Sequence, residues 1–154
     1  MDNRRKSGKI LQNVGYALLA EGKTIRIKAH GYSMFPAIKP GAIILIEPIK
    51  TGENPVIGEI IAIKKNNGLI VHRLSKITIK NGITTYIARG DSNTFEDKPV
   101  KFYSIAGRIV GVEMNEVSNF QADISINTKP NYYFNRMNVI GIVLLKRIKK
   151  SLNS

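Results

Sequence analysis

A serine hydroxyl is a weak nucleophile near neutral pH, and it attacks a carbonyl only when a neighbouring base takes its proton. Three segments of the chain hold the residue types for that chemistry. The first, His30-Gly31-Tyr32-Ser33-Met34-Phe35-Pro36, sets a serine in turn-forming surroundings and leads into Pro40-Gly41. The second is Gly58-Glu59-Ile60-Ile61-Ala62-Ile63 with its partner run Leu69-Ile70-Val71-His72-Arg73-Leu74. The third, Arg89-Gly90-Asp91-Ser92-Asn93, continues through Phe95-Glu96-Asp97. An imidazole suits the base, because free histidine titrates near about 6.5 and so is largely neutral at pH 7. A carboxylate suits the third role, fixing the imidazole tautomer and stabilising the imidazolium formed during attack. Two histidines, His30 and His72, and two aspartates, Asp91 and Asp97, are the candidates. Each residue also has a plainer reading. Ser33 reads as a turn serine before Pro36, His72 as a satisfied strand histidine and His30 as a local loop contact. Asp91 reads as a turn former through Asx bonds, Asp97 as a solvated loop charge and Arg73 as a solvent-facing strand charge.

Composition removes several alternatives. With no cysteine in the chain, disulfide frameworks, thiolate metal sites and cysteine nucleophiles are excluded. Two histidines are too few for a self-contained histidine metal site; serine attack through an acyl-enzyme needs neither a metal nor an organic cofactor, and none is expected. The formal net charge of +13 points to an anionic partner: nucleic acid, a lipid surface or acidic substrate segments. Residues 124–154 hold six basic side chains and no acidic one. A solvated helix face accounts for that run most simply, and peripheral contact with an anionic membrane comes next. No nucleic-acid motif accompanies it, so a nucleic-acid partner is not expected.

The elements that must position these residues are mostly strands. A chain of 154 residues, 43% hydrophobic, is one domain with a real core. Residues 1–22 read as an amphipathic helix with Ile10, Leu11, Val14, Ala17 and Leu18 on one face. Gln12, Asn13 and Gly15 interrupt its apolar part, which argues against a signal peptide. Residues 23–114 read as a β-rich domain, with strands over 24–30, 42–46, 59–65, 69–77, 83–88 and 105–112. Asn66-Asn67-Gly68 and Asn81-Gly82 are hairpin signals, the second following a short piece at 79–80. Residues 115–154 read as an irregular segment and a basic helix, with Ile140, Val143, Leu144 and Ile148 near one face. The fold class is therefore mainly β, a β-rich α+β domain. The longest apolar run spans residues 139–145, too short to cross a bilayer, so a cytoplasmic location or a peripheral one at the membrane surface is expected.

In their order along the chain, the three segments resemble the signal-peptidase I superfamily of serine endopeptidases. That family places its nucleophile in a Ser-Met-x-Pro box, matched by Ser33-Met34-Phe35-Pro36. A Gly-Asp/Glu-Ile-hydrophobic strand follows, matched by Gly58 to Ile63, then a basic pair bearing the general base, matched by His72-Arg73. A Gly-Asp-x-Asn loop comes last, matched by Gly90 to Asn93. Together the boxes cover residues 28–113. Most bacterial signal peptidases and the self-cleaving repressors use lysine as base; the archaeal, endoplasmic-reticulum and sporulation-type branch uses histidine with aspartate, and this chain is similar to that branch. There the acid lies six positions after the loop aspartate, which leads from Asp91 to Asp97. The resemblance implies Ser33 as nucleophile, His72 as general base and Asp97 as orienting acid, with Asp91 and Arg73 in support. Gly31, Met34 and Pro36 would shape the oxyanion site or substrate cleft. It also implies a coiled antiparallel β domain of the signal-peptidase and repressor-protease kind, cleaving its substrate through an acyl-enzyme. The branch usually carries a membrane-spanning helix before the serine box, and none is predicted here. The expected substrate is therefore a leader or precursor peptide. The alternatives are an inactive peptide-binding or regulatory module of the same fold and, less favoured, a basic nucleic-acid-binding protein.

Overall fold

Ile60-Ile61-Ala62-Ile63 has apolar side chains on both sides of the pleat, so a strand built from it must be covered on both faces. In the computed structural model, which describes residues 13–65, 68–113 and 129–152, this segment lies inside a six-stranded antiparallel sheet. The strands are β1 (Ile25–Lys28), β2 (Ile43–Glu47), β3 (Ile60–Lys65), β4 (Gly68–Lys80), β5 (Ile83–Arg89) and β6 (Ile105–Glu113). Their spatial order is β1-β2-β6-β3-β4-β5. Ile60 and Ala62 join one core cluster with Leu19, Met34, Ile44 and Ile109, whereas Ile61 and Ile63 join a second with Leu74, Tyr86 and Ala88. Each fully buried isoleucine is worth about 1.5–3 kcal/mol, so β3 is the apolar spine of the fold.

The β4–β5 hairpin turns through Asn81 and Gly82, both left-handed with φ of 52° and 73°. Two such residues in sequence suit the tight turn whose twist matches the flanking strands, and Asn-Gly tolerates it best. The expected break between 69–77 and 79–80 is absent. β4 is one strand of 13 residues, with a shift of register between Leu74 and Lys76 that bends it without ending it. β3 and β4 pair from Ile60 opposite Arg73 to Lys65 opposite Gly68. Asn66 and Asn67 lie outside the described residues. Beyond β1, the Ala29 N–H bonds to the Ala42 carbonyl at 2.7 Å and the Gly41 N–H to the Ala29 carbonyl at 2.9 Å. These bonds close the base of a loop over residues 30–40.

Two α-helices and a 3-10 turn at Phe102–Ser104 complete the described elements. α1 covers residues 13–20, and its buried contact is Leu19, with Leu18 packed beside it. Val14 and Ala17 are exposed, contrary to the expected face, because the helix turns Gly15 and Leu19 toward Ile25 and the core. Ile10 and Leu11 lie outside the described residues, as do Met114 and residues 115–128 of the segment expected to be irregular. α2 runs over Tyr132–Leu152, with the Phe134 N–H bonded to Asn131 Oδ1 at 3.2 Å at its start. Its buried residues are Asn135 and Val139, with Val143 half-buried; Ile140, Leu144 and Ile148, expected to share a face with Val143, are exposed. Among the described residues, no helix is long and apolar enough to cross a membrane.

Candidate active site

Ser33 sits in the loop closed by Ala29, Gly41 and Ala42. The Phe35 N–H bonds back to the Tyr32 carbonyl at 3.0 Å and the Ile38 N–H to the Met34 carbonyl at 2.8 Å, folding 32–38 into consecutive tight turns. Met34 is buried beneath them, anchoring the loop in the larger core. The third segment clamps this loop. The Ser92 N–H donates to the Ser33 carbonyl at 2.9 Å, and the Ser92 hydroxyl donates to the Tyr32 carbonyl at 2.6 Å. A Cβ on Gly90 would lie 2.7 Å from the Ser33 carbonyl oxygen, so only glycine allows the two segments to come this close.

His72 lies on β4 opposite Ile61, with its ring buried. Its Nδ1 is 2.5 Å from Asp97 Oδ2. Asp97 arrives there because the chain after the polar loop runs back along β5. The Asp97 N–H bonds to the Ala88 carbonyl at 2.8 Å, and Tyr86 and Val100 exchange bonds at 2.8 and 2.9 Å. Ala88 in turn pairs with Leu74, two residues beyond His72 on β4. An ionised carboxylate only accepts, so a neutral imidazole bonded to one through Nδ1 carries its proton there and keeps the Nε2 lone pair available.

Arg73 and Asp91 form a second, fully buried pair, at 4% and 1% exposure. Arg73 Nε bonds to Asp91 Oδ1 at 2.9 Å and Nη2 to Oδ2 at 2.7 Å, while Nη1 bonds to the Gly58 carbonyl at 2.9 Å. The plain readings of both residues are thereby corrected. Arg73 does not face solvent, and the Asp91 carboxylate is engaged by a guanidinium fork 18 residues away, where an Asx turn was the local expectation. This pair ties the strand position next to His72 to the loop that clamps Ser33.

The rest of that loop is braced from its ends. Arg89 donates to the Asn93 and Thr94 carbonyls, both at 3.0 Å, and the Tyr132 ring covers its guanidinium at 3.6 Å. Burial pushes the Tyr132 phenol above its usual value of 10, partly offset by Arg89. Ser75 bonds to Glu96 next to Asp97, and Asn135 of α2 donates to the Asp91 carbonyl at 2.9 Å.

Ser33 and His72 both line one cleft of about 620 Å³. Ile25, Ile27, Met34, Ile44, Leu69 and Val71 make its apolar walls, and Gly31, His30 and Asn93 also border it. Pro36, expected at the cleft, is exposed and is not among its lining residues. The cleft lies between two strand edges. Among the described residues, β1 is the last strand at one end of the sheet, and β5 pairs with β4 only from Arg73 onward, so no described strand pairs with residues 68–72 on that side. Among the described residues, no hydrogen bond joins the Ser33 hydroxyl to His72. No group of three or more His, Cys, Asp or Glu side chains among them is placed to hold a metal ion. Comparison with protein-family models and with curated proteins finds no match for this chain.

Sequence reasoning passed over three residues that shape this region. Ser92 occupies the variable position of the Gly-Asp-x-Asn box and reads locally as a turn residue. Asn135 and Lys146 carry no local signal, because their partners, Asp91 and Tyr32, are 44 and 114 residues away.

Proposed function

We propose that the chain is a serine endopeptidase with Ser33 as nucleophile, His72 as general base and Asp97 as orienting acid. The observation that carries this reading is the His72–Asp97 bond at a cleft that Ser33 also lines. With Nδ1 committed to Asp97, Nε2 takes the Ser33 proton as Oγ attacks the scissile carbonyl, and Asp97 stabilises the resulting imidazolium. The tetrahedral intermediate collapses to an acyl-enzyme as His72 gives that proton to the leaving amine. Water, deprotonated by His72, then releases the acyl group. Backbone N–H groups beside Ser33 would hold the developing oxyanion, and Gly31 at the cleft leaves room for the substrate to approach them.

The substrate class follows from the strand edges bordering the cleft. An extended leader or precursor segment adds main-chain hydrogen bonds at such edges, while its alternate side chains enter the apolar walls. The resemblance to the signal-peptidase I superfamily supports the same roles and favours small residues before the scissile bond. Ser33→Ala should abolish cleavage of such peptides while leaving the circular dichroism spectrum and the melting temperature near wild type, and a serine-reactive probe should label the wild type at Ser33 alone. Cleavage that persists in the alanine variant removes the reading. The unmade Ser33–His72 bond favours one rival, a peptide-binding module of this fold without turnover, although apo sites often tighten only once substrate is bound. Peptide binding with no cleavage and no probe labelling would establish the rival.

A further inference from the structure

α2 has apolar side chains all round its first four turns, and the body of the domain covers only the side bearing Asn135, Val139 and Val143. Tyr133, Met137, Ile140, Leu144 and Ile148 recur at helical spacing along the opposite side, and Phe134, Leu145 and Leu152 widen that stripe. These eight side chains are 39–80% exposed. A lone exposed hydrophobic needs no explanation, but eight sharing one side of a helix do. At 100° per residue, Arg136 and Arg147 fall along one border of the stripe and Lys149 along the other, all exposed. No acidic residue lies on α2.

A second copy of the helix is a poor occupant for this face. Paired helices set opposite charges beside their apolar seam, whereas two copies of α2 would bring arginine and lysine against arginine and lysine. A bilayer carrying anionic lipid complements both features, since acyl chains accept the stripe and headgroups meet its basic borders. We propose that the outward face of α2 docks the protein on an anionic lipid surface, with the helix lying in the interface plane. The helix is not apolar enough to span, which fits lying on the surface. Tyr133 sits at its first turn, where an amphipathic ring suits the headgroup level. On the inner side, Lys146 Nζ donates to the Tyr32 hydroxyl at 2.6 Å, one residue before Ser33. Docking through α2 would therefore hold the serine loop close to the bilayer, where membrane-associated peptides become its local substrates; that consequence rests on the peptidase reading, the docking does not.

The test is co-sedimentation of the full chain with vesicles of phosphatidylcholine alone and with vesicles that also contain phosphatidylglycerol. Each basic side chain near an anionic surface is worth about fivefold in affinity, so the mixed vesicles should bind at least about tenfold more tightly. Arg147→Glu with Lys149→Glu should remove that preference, and Ile140→Gln with Leu144→Gln and Ile148→Gln should remove binding; all five positions are exposed, so far-UV circular dichroism should be unchanged. Equal or absent binding to the two vesicles, or full binding by both variants, overturns the proposal. A dimer in sedimentation velocity that the glutamine variant dissolves would replace it with a second copy as occupant. Peptide cleavage in free solution is read separately: lost docking with intact cleavage overturns this inference alone, and lost cleavage with intact docking overturns the peptidase reading alone.

Discussion

Asp97 keeps a quarter of its side chain in contact with solvent, while Asp91 is shut away with Arg73, and this difference separates what the two carboxylates do. On the peptidase reading, Asp97→Asn removes the charge that steadies an imidazolium and lets the amide favour the wrong tautomer. Peptide cleavage should fall by up to about 10⁴-fold, with the melting temperature near wild type because the site is partly open. Asp91→Asn strands the Arg73 guanidinium in the interior with half its partner gone. Breaking a buried pair costs about 3–5 kcal/mol, so the melting temperature should drop by roughly 10 °C in a chain of this size. A thermal melt and a rate on one peptide separate the two; a stable Asp91→Asn protein with a steep rate loss would reverse the assignment. At this scale the sequence led part of the way. Counting six residues on from Asp91 reaches the side chain that meets His72. The Arg73–Asp91 fork was not legible, because Asp91-Ser92-Asn93 looks locally like a turn and Arg73 like a surface strand charge. Only the pairing of β4 with β5, which sets Arg73 opposite Arg89 beside the loop, brings them together.

Elements were more legible than their faces. The Asn81-Gly82 dipeptide between Ile79-Lys80 and the run 83–88 was enough to place the second hairpin, since a left-handed pair of residues has few substitutes. The N-terminal and C-terminal helices were also expected, yet in each the buried side differs from the one read off the pattern. α2 shows why. Its apolar residues lie on both sides, so periodicity cannot choose between them, and the choice falls to Asn135, whose amide reaches the Asp91 carbonyl. That bond makes α2 a brace for the loop that clamps Ser33 through Ser92. Asn135→Ala leaves a buried carbonyl without this donor at a cost of about 1–3 kcal/mol, and the melting temperature should fall by about 3–10 °C. Because the Asp91 loop holds the Ser33 carbonyl, kcat should fall several-fold with KM for a short peptide less affected. An unchanged melt and an unchanged kcat would mean that α2 does not brace the site.

Over the whole molecule the dominant electrostatic fact is the net charge of +13. Surface ion pairs among the described residues include Arg26 with Glu113, Lys23 with Glu21, and Arg108 with Glu53 and Glu59. Exposed pairs of this kind contribute about 0–1 kcal/mol each, so together they stabilise by a few kcal/mol at most. Against them stands mutual repulsion of the surplus charges. Two charges about 25 Å apart, across a domain of this size, repel by about 0.2 kcal/mol in water, and over all pairs of the surplus this reaches on the order of 10 kcal/mol without salt. The expanded unfolded chain relieves part of that, so repulsion at low salt favours unfolding. At 0.1 M the Debye length is about 10 Å, which screens these long distances far more than the 2.7 Å contact buried between Arg73 and Asp91. Raising salt from about 10 mM to about 300 mM should therefore raise the melting temperature, the opposite of a protein held by surface ion pairs. The same change should weaken docking to phosphatidylglycerol vesicles, because there the screened interaction is attractive. Melting curves and vesicle co-sedimentation over one salt series read both. A melting temperature that falls with salt would mean that surface ion pairs outweigh the surplus charge.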